Sequence, residues 1–164
     1  MSDYSVSEYR VGTGLDAHAL EDGVPLVLGG VRIEHPRGLA GHSDGDVLAH
    51  ALTDALLGAA GLEDIGALFP SGDPALAGAD SLDLLTQAWE RVRKDGWRLA
   101  NADVVLVAEE PRLAPHRDEM RRRLAEALDV EPELVAVRAT TTDGLGFTGR
   151  GEGLAAQAVA LLVR

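Results

Sequence analysis

The chain has 164 residues, no cysteine and a formal net charge of −12. This length favours one domain over residues 1–164, and the lack of cysteine excludes a disulfide framework and a cysteine-based structural zinc site. The acidic balance argues against nucleic-acid binding. No apolar run reaches the ~18 residues of a membrane span, and no secretory signal opens the chain. We therefore expect a cytoplasmic protein without membrane contact.

The composition predicts a close-packed aliphatic core, since 46% of residues are apolar and only 4% aromatic. Residues 1–7 are polar and are expected to form a disordered tail. The first predicted elements are an extended segment over 9–20 and a hairpin over 26–33 around Gly29-Gly30. A helix follows from residue 43 or 44 to residue 60, where Gly61 ends it, and then an irregular segment over 64–79. The remaining elements are a helix from its N-cap Ser81 to just before Gly96, a strand over 104–107, a helix within 111–128 and a strand over 134–140.

The last segment, Leu154–Val163, is ambiguous. Its alanines favour a helix by propensity, whereas its place directly after a glycine-rich loop suits a strand. From the residues alone we expect, by a small margin, a helix.

Two short stretches carry candidate metal ligands. Asp16 and His18 are two residues apart, so on a strand they project from the same face. His50 comes from the first predicted helix, where Asp46 and Asp54 lie one turn before and one turn after it and could orient its ring. Three such ligands with an open position are typical of a catalytic zinc site. A solvated polar stripe with a surface histidine is the alternative.

A glycine-rich loop spans residues 140–153. Its glycines let the backbone approach a ligand, its threonines and N–H groups can donate to phosphate oxygens, and Arg150 can bind phosphate in a bidentate manner. Asp143 offers a hard oxygen ligand for Mg²⁺ shared with a diphosphate. The loop matches neither a Walker A nor a dinucleotide-binding pattern, and a long turn between strands is the alternative.

These motifs resemble the 2-C-methyl-D-erythritol 2,4-cyclodiphosphate synthase family over nearly the whole chain. The blocks that carry the resemblance are Asp16-Ala17-His18, His42-Ser43-Asp44-Gly45-Asp46 through Asp54-Ala55, Asp64-Ile65-Gly66 with Phe69-Pro70, and Ala139-Thr140-Thr141-Thr142 through Gly149-Arg150-Gly151-Glu152-Gly153. The resemblance implies an α+β fold: a single-domain mixed four-stranded sheet with helices on one face, assembling as a homotrimer around a three-fold axis. It also implies a strand at Leu154–Val163, against the preference of the residues alone.

The resemblance implies a metal-dependent phosphorus–oxygen lyase. The substrate would be 4-diphosphocytidyl-2-C-methyl-D-erythritol 2-phosphate, and the products CMP and the cyclic diphosphate of the non-mevalonate isoprenoid pathway. Zn²⁺ would be held by Asp16, His18 and His50, and Mg²⁺ or Mn²⁺ with the diphosphate by Asp143. Asp143 stands where the family commonly has Glu, and Ser71 where it often has Asp.

The other site residues follow from the same resemblance. The implied catalytic residues are His42, Thr141 and Asp143. The implied substrate-binding residues are His42, Ser43, Asp64, Gly66, Ser71, Asp73, Ala108, Pro111, Arg112, Leu113, Ala114, Thr140, Thr141, Phe147 and Arg150. Active sites would lie between subunits, and an isoprenoid diphosphate could bind on the three-fold axis near Arg150 and Glu152, unless those two residues form a structural salt bridge.

Two other functions stay open at this stage. One is a non-catalytic trimer that binds an isoprenoid diphosphate or nucleotide, which the changes at Ser71 and Asp143 would allow. The other is a zinc hydrolase, although the sequence places no glutamate general base beside the ligands as an H-E-x-x-H motif would.

Overall fold

The computed structural model describes residues 7–164, so the tail expected over 1–7 lies outside the described residues except for Ser7. The strands are β1 (Tyr9–Asp22), β2 (Leu26–Leu28), β3 (Val31–Ile33), β4 (Arg37–Leu39), β5 (Arg98–Val107), β6 (Val135–Thr140) and β7 (Gly153–Val163). The helices are α1 (Val47–Ala60), α2 (Ile65–Leu68), α3 (Ser81–Lys94), α4 (Arg117–Ala127) and α5 (Gly146–Gly149), with short 3₁₀ turns at Pro74–Leu76, Ala114–His116 and Pro132–Leu134.

The main sheet has five strands in the order β4-β1-β7-β5-β6. β5 and β6 run parallel and the other neighbours are antiparallel, while β2 and β3 form a separate hairpin as predicted. The expected α+β class and mixed sheet are confirmed, but the expected number of four strands is wrong. The additional strand β4 has three residues, which pair with the end of β1, and three residues are too few to show an alternating pattern in the sequence.

Helix α1 lies directly on the backbone of β1. A Cβ atom placed on Gly12 would come within 2.0 Å of the Ala55 carbonyl oxygen, and one placed on Gly14 within 1.9 Å of the Ala51 carbonyl oxygen. Only glycine leaves room for such close packing of a helix against a strand. Asp16 follows on the same face of β1 and is therefore held beside α1.

The starts of two helices differ from the prediction by one to four residues. Helix α1 begins at Val47 because the carboxylate of Asp46 accepts a hydrogen bond from the Ala49 backbone N–H and caps the helix. Helix α3 is capped by Asp80 rather than by Ser81, which is its first residue. The predicted stop at Gly61 is confirmed, with a left-handed φ of 73°.

The C-terminal segment is a strand, as the resemblance implied, and the preference of the residues alone for a helix is wrong. β7 pairs on both sides, with β1 and with β5, and this pairing overrides the helix propensity of its alanines. β5 starts at Arg98, earlier than the predicted 104. The helix predicted within 111–128 is confirmed as α4, which a 3₁₀ turn at Ala114–His116 precedes.

The two faces of the main sheet have opposite environments. The helices cover one face and bury an aliphatic core in which leucine, valine and alanine predominate, as the composition predicts. The other face exposes Tyr9, Val11, Leu15 and Val159, with relative exposures of 41 to 74%. Across the described residues 7–164, no helix combines the length and apolar character needed to cross a membrane.

Candidate active site

Three predicted ligands converge beside the sheet. The alternation of β1 turns Asp16 and His18 toward α1, and His50 lies in the first turn of that helix. The Asp16 Oδ2 atom lies 2.9 Å from His18 Nε2 and 3.0 Å from His50 Nδ1, and the two nitrogens are 3.3 Å apart. Atoms bound tetrahedrally at the usual 2.0–2.1 Å lie about 3.3 Å from one another. The donor set and its spacing therefore fit one divalent ion with an open fourth position.

The electrostatics of the cluster suit a cation. Burial alone would raise the pKa of Asp16, but hydrogen bonds and charge interactions with His18 and His50 overcome it and lower the pKa to about 2. The hydrogen bond to Asp16 raises the pKa of His18 against the opposite effect of burial. In the metal-free protein, the negative charge of Asp16 thus favours a positive charge at this position.

The partners predicted for the His50 ring are wrong. Asp46 instead accepts hydrogen bonds from the backbone of the β2–β3 turn and of α1, and the Asp54 carboxylate accepts one from the Ile65 N–H at 2.8 Å. The far nitrogen of the ring, Nε2, lies 2.8 Å from Ser81 Oγ and 3.2 Å from Ser43 Oγ. A four-residue spacing put both carboxylates on the same helix as His50, but each serves a different partner.

The ligand cluster lines a cavity of about 260 Å³. The lining residues are Asp16, His18, His42, Ser43, His50, Ile65, Gly66, Phe69, Ser71, Leu76 and Leu84. The apolar part of this wall includes Ile65 and Phe69, which belong to motifs that carried the resemblance but had no predicted role.

Two predicted acidic residues near the cavity serve the local backbone. The Asp64 carboxylate caps α2 through the Ala67 N–H, and the Asp73 carboxylate caps the following 3₁₀ turn through the Ala75 N–H. The Asp73 carbonyl accepts a hydrogen bond from His42 Nε2 at 2.8 Å, which holds the exposed His42 ring at the cavity edge. Neither carboxylate lines the cavity.

The other predicted site residues lie at the ends of β5 and β6. Ala108 follows β5 and its N–H donates to the carbonyl of Thr140 at 3.0 Å, which ties the two predicted segments together. Leu113 is buried, whereas Arg112 and Ala114 are exposed and Pro111 is partly so. None of these residues lines the cavity of the ligand cluster within the same chain.

The glycine-rich loop also lies outside that cavity. Asp143 is exposed with a left-handed φ of 51°, and its carboxylate accepts a hydrogen bond from the Thr141 hydroxyl at 3.2 Å. Glu109, which the sequence did not single out, accepts hydrogen bonds from the N–H groups of Thr142 and Gly144 at 3.3 and 3.2 Å. Glu109 thus fixes the loop on both sides of Asp143.

Two further predicted residues follow on this loop. Phe147 is in α5 and exposes 42% of its surface. Arg150 forms an exposed ion pair with Glu152 at 2.7 Å, the structural alternative that the sequence left open.

Comparison with known proteins confirms the resemblance. The model of the YgbB family matches residues 9–163. A 2-C-methyl-D-erythritol 2,4-cyclodiphosphate synthase of Moorella thermoacetica is 61% identical over 154 residues, which cover 94% of each chain.

Solved structures agree with this match. A 2C-methyl-D-erythritol-2,4-cyclodiphosphate synthase with CDP bound has a TM-score of 0.85 and 41% identity over 93% of this chain and 99% of its own. The bifunctional IspDF of Campylobacter jejuni has a TM-score of 0.93 and 45% identity over 96% of this chain, which spans 43% of that longer protein. The extent of the family match and the identity to these relatives show that the chain belongs to the YgbB family.

Proposed function

We propose that this protein converts 4-diphosphocytidyl-2-C-methyl-D-erythritol 2-phosphate to 2-C-methyl-D-erythritol 2,4-cyclodiphosphate and CMP, in the non-mevalonate isoprenoid pathway. The observation that carries the proposal is the convergence of Asp16, His18 and His50 at the wall of a cavity, in a chain 61% identical to a synthase of this name. The alternative of a non-catalytic binder has no such support, because the ligand set is complete.

The reaction needs little covalent chemistry from the protein. An oxygen of the 2-phosphate forms a bond to the β-phosphorus, the bond from that phosphorus to the bridging oxygen breaks, and the bridging oxygen leaves on CMP. Both reacting groups belong to one substrate, so catalysis consists mainly of alignment and charge stabilisation. The cavity offers the His42 ring and the Ser43 hydroxyl as groups that can bind the methylerythritol phosphate, and the Ser71 hydroxyl as a partner for the substrate's hydroxyls.

The proposed resident metal of the Asp16, His18 and His50 cluster is Zn²⁺. Two imidazoles and one carboxylate are ligands that zinc favours, and they leave one position for substrate. A bound zinc ion would polarise a phosphoryl oxygen and neutralise part of its charge. We further propose that Asp143 holds Mg²⁺ or Mn²⁺ together with the substrate diphosphate, since its exposed carboxylate is a hard oxygen ligand on a loop with donors for phosphate.

We propose that the complete site forms between subunits of a homotrimer. The loop that carries Thr140, Thr141 and Asp143 does not line the metal cavity of its own chain, so a neighbouring copy would have to supply it. The uncovered face of the sheet offers a contact surface, because Val11 and Leu15 are 69 and 74% exposed on it. An apolar face of this kind is typical of an association surface.

The cytidine would bind at the ends of β5 and β6. There, backbone groups of Ala108 and of residues 111–114 would contact the base, and Thr140 and Thr141 the phosphates. Asp64 and Gly66 would contact the ribose. Phe147 would contact the substrate. Arg150 would contact a phosphate or an isoprenoid diphosphate on the three-fold axis. The expected cytoplasmic location stays a prediction.

The direct test is CMP release from the cytidylyl substrate by the zinc-loaded protein in the presence of Mg²⁺. His50→Ala should lose zinc and nearly all CMP release while keeping its circular dichroism spectrum. His116→Ala, at a histidine outside the cavity, should keep its zinc content.

Two outcomes would reject the proposal. One is binding of the substrate by calorimetry without CMP release from zinc-loaded trimers, which would favour the non-catalytic binder. The other is full activity of metal-free His50→Ala, which would remove the metal from the chemistry.

A further inference from the structure

We propose that Ser81 and Asp44 are positioning residues that hold the ring of His50 in the tautomer with its proton on Nε2, leaving the lone pair of Nδ1 free for a metal. The inference rests on the metal cluster of the proposed function, and it is independent of the reaction.

The direction of the hydrogen bonds follows from the number of protons available. Ser81 Oγ donates a hydrogen bond to a carboxylate oxygen of Asp44, which can only accept. A serine hydroxyl has a single proton, so when Ser81 donates to Asp44 it must accept from His50 Nε2, which lies 2.8 Å away. The imidazole proton is therefore on Nε2.

When the ring carries a single proton, the other nitrogen therefore faces the ligand cluster with its lone pair, and a hydrogen bond from Nδ1 to Asp16 forms only when both nitrogens are protonated. His50 Nδ1 is 3.0 Å from Asp16 Oδ2 and 3.3 Å from His18 Nε2. A neutral imidazole binds a metal through its unprotonated nitrogen. Without the Ser81 acceptor, the proton could move to Nδ1, where Asp16 would accept it and the metal would have to displace it.

The surroundings of Ser81 prevent its hydroxyl from turning elsewhere. Ser81 is fully buried at the first residue of α3, and its own backbone N–H donates to the second carboxylate oxygen of Asp44 at 3.1 Å. Asp44 in turn accepts from the Asp46 N–H at 3.0 Å, at the start of α1. One carboxylate thus orients both polar groups of Ser81 and joins the starts of two helices.

Helix capping does not account for the Ser81 hydroxyl. The cap of α3 is Asp80, whose carboxylate accepts from the Leu82 N–H at 2.8 Å. The Ser43 hydroxyl is a more distant neighbour of the His50 Nε2 atom, at 3.2 Å, and it lines the cavity where substrate would bind. Ser81 is therefore the partner placed to orient the ring. Partners of this kind typically contribute 10- to 100-fold to metal affinity.

The test compares Ser81→Ala with Thr86→Val. Thr86 is on the same helix, and its hydroxyl oxygen lies 3.0 Å from the carbonyl oxygens of both Leu82 and Ala127, away from the cluster. The Zn²⁺ dissociation constant is measured by chelator competition. Ser81→Ala should bind Zn²⁺ about 10- to 100-fold more weakly, whereas Thr86→Val should stay within about twofold of the unmodified protein.

A second measurement reports the tautomer directly. Two-bond ¹⁵N–¹H couplings of the metal-free protein, at a pH where the ring of His50 is neutral, should show the proton on Nε2. The proton should move toward Nδ1 in Ser81→Ala and be shared between both nitrogens in Asp44→Ala. The same spectra show whether each variant is folded, so a loss of metal through unfolding is recognised.

Three results would overturn the proposal: a proton on Nδ1 in the unmodified protein, an unchanged tautomer in Ser81→Ala, or equal losses of zinc affinity in Ser81→Ala and Thr86→Val. Failure of the proposed reaction looks different. In that case CMP release is absent although the unmodified protein binds Zn²⁺ and shows the Nε2 tautomer.

Discussion

Replacing Gly14 by alanine should damage both the fold and the metal site, because the helix that carries His50 rests on this glycine. The new Cβ would lie 1.9 Å from the Ala51 carbonyl oxygen, and also 2.9 Å from the Ala55 backbone nitrogen. Neither atom belongs to a flexible side chain. The helix or the strand must therefore move as a unit.

The size of the effect follows from the overlap. Ordinary contact at this point needs about 3.4 Å, so the backbones must separate by about 1.5 Å. Overpacking of a core usually costs about 1–3 kcal/mol, and contact with backbone places Gly14→Ala at the upper end, about 3 kcal/mol. Metal–ligand distances tolerate about ±0.2 Å, so the movement should also weaken zinc binding by about 100-fold.

Urea unfolding and chelator competition with Zn²⁺ measure the two effects separately. Gly58→Ala is the matched control, since Gly58 is an exposed residue within α1 and its Cβ would have its nearest neighbour 3.8 Å away. Alanine is favoured over glycine inside a helix by about 1 kcal/mol, so this variant should be more stable and bind zinc normally. A Gly14→Ala protein with unchanged stability and zinc affinity would refute the close packing of α1 on β1 as the basis of the site.

Asp46→Ala should lower the free energy of unfolding by about 3 kcal/mol in a urea titration, since three backbone N–H groups lose their acceptor. Asp80→Ala removes only one cap hydrogen bond and should lower it by about 1 kcal/mol. Equal losses in the two variants would contradict the role of Asp46 as a shared acceptor. Zn²⁺ at 100 times its dissociation constant should add about 2.7 kcal/mol to the free energy of unfolding. If Zn²⁺ still raises the melting temperature of His18→Ala by the same amount, zinc binds elsewhere. Leu15→Asp should shift the light-scattering mass from trimer to monomer while zinc binding persists, and an unaffected trimer would place the subunit contact on another surface.

The convergence of Asp16, His18 and His50 was predictable from the sequence because local geometry places these candidate ligands. The two-residue spacing of Asp16 and His18 puts both on one face of a strand whatever the rest of the fold does. The predicted helix supplied His50 as the third candidate ligand, because the family resemblance paired that helix with the strand.

The orientation of the ring of His50 was not predictable, because its partner is distant in the sequence. Helical spacing pointed to Asp46 and Asp54, yet Asp46 serves the β2–β3 turn and Asp54 the start of α2. The actual partner, Ser81, is 31 residues away and reaches the ring only through the packing of α3 against α1. In the same way, tertiary pairing decided the conformation of β7 against its alanine content.

The alternation of β1 links metal binding to assembly. Leu15 and Asp16 are neighbours in the chain, but a strand points them to opposite faces, so Leu15 lies on the bare apolar face while Asp16 faces α1. If the uncovered face of the sheet is the contact between copies, β1 contributes both to that contact and, through Asp16 and His18, to the proposed metal site. Any change that tilts β1 in the assembly then moves Asp16 and His18 together relative to His50, which is fixed on α1. We therefore expect zinc affinity to differ between the assembled and the dissociated protein, even though all three proposed zinc ligands belong to one chain.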